Sequence, residues 1–273
     1  MKKGRFGIFF VIFAIILGVG CSFDTPVRAG MVELGNAIVG NLPNLRKESE
    51  KPSQEVLYDA YYNYLVENEH SIRPYQTTLQ ILGGSSGRNI SIADYDCDGV
   101  DDLFCVIATK SVGGYALQVQ AKLLSYFDGE IVTLLSDSYS VGLCDTTSYA
   151  WFMQPSEGTL CSMAVSGDSP RRHQLTTYRR NLSGKYTSQQ TLTRNIYEDG
   201  SVQYLLDSKQ ITADKYAQKF ESRVDRSTLI LLEGSGKHDE YFERLSSRTP
   251  VAMTYNEALQ FLKPGSVGAY EEF

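Results

Sequence analysis

Histidine is scarce in this chain: three in 273 residues, His70, His173 and His238, set far apart in polar surroundings. No HExxH pair occurs and no two cysteines have CxxC spacing, so the common zinc constellations are excluded. A P-loop is missing as well, and with it the backbone cradle for a nucleoside triphosphate. Basic residues are in the minority, 26 Lys and Arg against 32 Asp and Glu, for a formal charge of −6. Residues 1–20 carry Lys2, Lys3 and Arg5 and no acid, so without them the charge falls by three, to −9. A surface of that sign repels phosphate backbones, and nucleic acid is not an expected partner.

What the chain does have begins with an address. Lys2, Lys3 and Arg5 precede an uncharged, mostly apolar stretch from Phe6 to Gly20, shorter than the roughly 20 residues of a bilayer span and suited to a signal-peptide core. It ends in Leu17-Gly18-Val19-Gly20-Cys21. This resembles the lipobox of bacterial lipoproteins, with Gly18 standing where that pattern has a branched apolar residue and Leu17 one place further back. The resemblance implies cleavage after residue 20, lipidation of Cys21 and an extracytoplasmic protein held at the cell membrane. An uncleaved anchor or an ordinary signal peptide is the alternative. Two acyl chains, at about 0.8 kcal/mol per buried CH₂, anchor stably where one is marginal. The remaining cysteines, Cys97, Cys105, Cys144 and Cys161, are even in number and permit three disulfide connectivities, although Cys105 and Cys161 lie inside apolar strand-like runs.

Residues 21–52 read as a lipid-anchored linker, with a short helix possible over Met31 to Val39, and 53–265 as one β-rich domain. Residues 266–273 are expected to be a flexible tail. Eighteen tyrosines tilt the domain toward half-buried strands. Leu57, Tyr61, Tyr64 and Leu65 recur at helical spacing behind an N-cap-like Ser53, which predicts a helix whose stripe docks on a sheet. Strands are expected at Ile90 to Ala93, Leu103 to Thr109, Tyr115 to Leu123, Glu130 to Leu135, Trp151 to Met153, Thr159 to Val165, Gln174 to Tyr178, Tyr186 to Thr193 and Val202 to Leu206. Glycine turns such as Asp128-Gly129 and Asp199-Gly200 punctuate them. Capped helices are expected from Ile211 and from Thr254, the latter with capping-box spacing to Glu257. The expected fold is mainly β (α+β): an antiparallel, propeller-blade-like meander with an N-terminal helix and C-terminal helices packed on it.

The most informative stretch is 94–102, Asp94-Tyr-Asp96-Cys-Asp98-Gly-Val100-Asp-Asp102. Carboxylates crowded at positions 1, 3, 5 and 9 repel one another unless a cation offsets them, and Ca²⁺ is the hard cation that takes six to eight oxygens in flexible geometry. An EF-hand needs a glutamate at position 12, where this chain has Cys105. The pattern D-x-D-x-D-G-x-x-D between strands resembles instead the calcium loops of FG-GAP and VCBS-type repeats. That resemblance implies Asp94, Asp96, Asp98 and Asp102 as carboxylate ligands and the Val100 carbonyl as a fifth. Asp101 falls off the pattern, exposed or behind the ligands. With "YxxDGxxxxL" strand pairs and "YLLDSKQITADKYAQKF", the chain also resembles uncharacterised exported lipoproteins of Gram-positive bacteria, a likeness that implies fold and address but no activity.

These features predict a non-catalytic, lipid-anchored surface protein with one structural calcium hairpin, binding an envelope protein or polysaccharide. The competing expectation is a cell-wall or glycan hydrolase in which the calcium loop is only a brace. Arg171, Arg172, Arg179 and Arg180 form a basic cluster expected to be a solvated face.

Overall fold

The computed structural model describes residues 51–81, 87–112, 116–142, 148–154, 158–167, 170–181, 183–233 and 240–263. All of them belong to one compact unit beginning at Arg46. The expected signal peptide, Cys21, the expected linker as far as residue 50, the helix expected at 31–39, Cys144 and the expected tail lie outside the described residues.

Helix α1 (Gln54–Glu67) starts where Ser53 accepts the Val56 N–H and stops at Asn68, whose side-chain amide donates to the Tyr64 carbonyl. Leu57, Tyr58, Tyr61 and Leu65 are its buried face. Helix α2 (Glu69–Ile81) follows after the single residue Asn68, carrying Pro74 inside it. A first sheet of four strands runs β1 (Ile90–Ala93), β2 (Asp102–Val112), β3 (Ala116–Phe127), β4 (Glu130–Gly142), in sequence order and antiparallel throughout. Asp128 and Gly129, both at positive φ, make the two-residue turn from β3 to β4 whose twist matches the strands.

The second sheet has seven strands: β5 (Ser148–Gln154), β6 (Thr159–Ser166), β7 (Arg171–Arg180), β8 (Tyr186–Ile196), β9 (Val202–Leu206), β10 (Lys209–Gln210) and β11 (Thr228–Glu233). The first six form a meander. Helix α3 (Ala213–Val224), capped by Thr212, then carries the chain across so that β11 pairs antiparallel with β5 at the opposite edge. Helices α4 (Glu240–Ser246) and α5 (Tyr255–Leu262) complete the described chain, α5 opening with the full Thr254/Glu257 capping box.

Side-chain alternation assigns the layers. Phe104, Val106, Val119, Ala121 and Leu123 of the first sheet meet Trp151, Met153, Leu160 and Tyr178 of the second in a shared core. The outer face of the first sheet, with Leu103, Cys105 and Ile107, is covered by α1 and α5. The outer face of the second, with Phe152, Cys161, Met163 and Leu175, is covered by α3 and α4 through Tyr216, Phe220 and Phe242. The order is helices, sheet, sheet, helices: a mainly β, α+β protein, as the sequence predicts. Cys97, Cys105 and Cys161 are thiols, none of them half of a disulfide.

Candidate metal centre

The acidic stretch is the connection of the β1–β2 hairpin. Ala93 pairs with Asp102, so Asp94 to Asp101 close the turn and Asp102 is already the first residue of the returning strand. The loop is knotted by its own carboxylates. Asp94 accepts the N–H of Asp98 at 3.1 Å on one oxygen and that of Gly99 at 2.9 Å on the other. Asp96 also accepts from Asp98 N–H at 3.1 Å, and Asp98 accepts from Val100 N–H at 2.9 Å. Gly99 sits at φ +80°, a conformation L side chains rarely adopt, with Lys51 Nζ 2.6 Å from where a Cβ would stand.

This folding gathers the side chains the sequence singles out. One carboxylate oxygen from each of Asp94, Asp96 and Asp102 lies within 4.8 Å of the others, a group that can hold a metal ion. At an effective dielectric of about 20, each such pair of charges repels by on the order of 3 kcal/mol. Asp98 stands outside the three, engaged with Val100, and Val100 itself buries its side chain among the residues under α1.

Asp102 is fully buried. The Asp102 carboxyl takes the Tyr95 N–H on Oδ2 at 3.2 Å and has the Ser125 hydroxyl beside it, while Oδ1 is buried without a partner in hydrogen-bond geometry. An orphaned buried carboxylate oxygen is costly, and a coordinated cation is one way to satisfy it. Burial first and the charge of Asp96 second push the Asp102 carboxyl well above the usual carboxylate range. Asp96 is pushed up to about 6 by burial and then by Asp98, with the Arg180 guanidinium pulling the other way. Both carboxyls carry a burial penalty that a bound cation offsets.

The walls come from three layers. From α1, the Tyr58 hydroxyl donates to Asp101 Oδ2 at 3.0 Å and the Tyr61 hydroxyl to the Asp101 carbonyl at 2.8 Å. Asp101 is therefore the point where the helix grips the loop, a role with no sequence motif to announce it. From the second sheet, Arg180 of β7 pairs with Asp96 Oδ2, and the Tyr186 hydroxyl of β8 reaches the carbonyls of Tyr95 and Gly158, each at 3.0 Å. Arg180 thus belongs to the centre and not to a solvated face. An open cavity of about 440 Å³ lined by Asp96, Gly158, Arg179, Arg180 and Tyr186 leads to it.

Elsewhere, Gly83-Gly84-Ser85-Ser86-Gly87 spells the Gly-x-Ser-x-Gly of a nucleophile elbow. The elbow needs a strand before it and a helix after it. Here α2 precedes and β1 follows, the reverse order.

Comparison of the chain with protein-family models, with curated proteins and with solved structures gives no match.

Proposed function

We propose that this is an exported, lipid-anchored, non-catalytic protein of the cell envelope whose β domain is fastened by one Ca²⁺ ion and which binds an envelope protein or polysaccharide. The observation that carries the calcium half is the buried, unpartnered Oδ1 of Asp102 beside Asp94 and Asp96. All three donors are hard oxygens on a loop of D-x-D-x-D-G-x-x-D spacing, chemistry that suits Ca²⁺ better than a soft or nitrogen-seeking metal. Asp98 and the Val100 carbonyl complete the ligand set on this reading. Support for a structural role is the position of the loop, gripped by α1 on one side and by β7 and β8 on the other. The address rests on Lys2, Lys3 and Arg5, the apolar stretch to Gly20 and Cys21.

Calorimetric titration of the full chain with Ca²⁺, beside the double variant Asp96→Ala, Asp98→Ala, tests the metal. Saturable heat in the wild type alone, with a melting temperature that drops in chelator, is expected. No heat at millimolar Ca²⁺ together with identical melting in chelator overturns it. For the anchor, labelled fatty acid is expected in the wild type and absent from Cys21→Ser; label retained in the variant overturns lipidation at that residue.

A further inference from the structure

The two sheets do not meet over their whole width. Beyond the aromatic core a cavity of about 440 Å³ lies between β4 and the inner face of the second sheet. Strand register composes its floor. Trp151, Ser162, Thr176 and Thr191 stand in one row across β5, β6, β7 and β8, and Tyr149, Ala164 and Gln174 in the next. The reverse faces of these strands carry Phe152, Cys161, Met163 and Leu175, buried under helices. A face enclosed between two sheets is ordinarily just as apolar. Here, where the sheets part and Gln174 and Ser188 are exposed, it carries hydroxyls, an amide and small side chains, which leave both space and hydrogen-bonding capacity.

The walls are aromatic and braced. The Tyr139 and Tyr149 rings lie 4.3 Å apart, and Trp151 stacks on Tyr178 at 5.7 Å. The Tyr178 hydroxyl donates to Asp137 Oδ2 at 2.7 Å and that of Tyr139 to Glu233 Oε1 at 3.2 Å, so both rings are held from behind. The buried Trp151 indole N–H is directed at the Tyr139 hydroxyl, short of full hydrogen-bond geometry. Among the described residues of the lining, Asp137 is the one charged side chain. An anionic ligand has nothing to hold it there.

We infer that this cleft binds a neutral saccharide unit. A sugar ring offers an apolar C–H face to tyrosine and tryptophan rings and a rim of hydroxyls that both donate and accept. Gln174 supplies that exchange together with the remaining capacity of Thr176 and Ser162, whose hydroxyls also meet that of Tyr178, Asp137 Oδ1 accepts a sugar O–H, and the Trp151 N–H gains an acceptor of better geometry. The inference rests on the ligand-binding part of the proposed function and not on the metal.

Trp151 is the only tryptophan in the chain, so its emission reports on the cleft directly. The full chain, kept in millimolar Ca²⁺, is titrated with maltotriose, cellotriose and chitotriose, with spermidine as a cationic probe. A saturable change in emission with at least one trisaccharide is expected, weakened about tenfold or more in Gln174→Ala and in Ala164→Phe, the melting temperature of Gln174→Ala being unchanged. Gln174 is exposed, so that variant decides even if Ala164→Phe misfolds. No saturable change up to about 10 mM, undiminished binding in Gln174→Ala, or a response to spermidine alone overturns the inference. The calcium calorimetry is a separate readout, so either result can fail without the other.

Discussion

Two buried titratable side chains pull stability in opposite directions as pH falls. His173, buried on β7, is lowered from the usual 6.5 to about 4, chiefly by burial and then by Arg194 and Arg171. Between those values the unfolded chain holds a proton the native state refuses. Its contribution is therefore complete above about 6.5 and shrinks as pH drops toward 4, by up to about 3 kcal/mol. Denaturant melts of wild type and His173→Phe across this window are expected to show the acid limb flattened in the variant. Asp96, raised to about 6, has the reverse sign: in chelator the native state takes its proton first, so stability is gained as pH falls from 6 toward 4. Asp96→Asn is expected to abolish that gain. With Ca²⁺ present, the same proton competes with the metal, and affinity is expected to fall about tenfold per pH unit below 6 in calorimetric titrations. Both shifts come from burial, which the position of a residue in a sequence does not reveal.

Most individual elements were legible in the chain because their cues are local. The Ser53 cap, the Thr254/Glu257 box, the Asp128-Gly129 turn and the alternation through β3 each act within a few residues. Thr254→Ala is expected to cost about 1 kcal/mol in urea denaturation, the ordinary worth of an N-cap. Elements with contrary or ambiguous cues escaped. Pro74 marks a break in the sequence yet sits within α2, where Ile72 and Tyr75 bury into two different clusters and packing outweighs the lost backbone hydrogen bond. Strand β11 shows no alternation across Leu229 to Leu232, since core surrounds it on both faces and period 2 vanishes. The grip of α1 on the loop is tested by Tyr61→Phe. Loss of the hydroxyl bound to the Asp101 carbonyl is expected to destabilise the protein by about 1 kcal/mol and to weaken calcium binding measured alongside.

For the whole molecule, the loop is where three layers are tied: α1, the first sheet and the second. The Arg180 guanidinium bridges from the second sheet to Asp96 on the first, so changing it reads out coupling between sheets. Arg180→Gln leaves the buried Asp96 carboxyl without its counter-charge and is expected to lower stability in chelator by about 3 kcal/mol, with a larger share recovered on adding Ca²⁺ than in the wild type. Differential scanning calorimetry of both proteins with and without the ion checks this; equal recovery contradicts a metal at Asp96. The sequence by itself determined the hairpin, its D-x-D-x-D-G-x-x-D spacing and the mainly β composition of the domain, because turn chemistry and side-chain period are properties of neighbouring residues. Only the tertiary structure decided that the chain divides into two facing sheets, that Asp102 is buried with an oxygen to spare, and that Arg180, Tyr186, Tyr58 and Tyr61 converge on one loop. Those contacts join residues tens of positions apart, and burial and long-range register exist only once the sheets have packed.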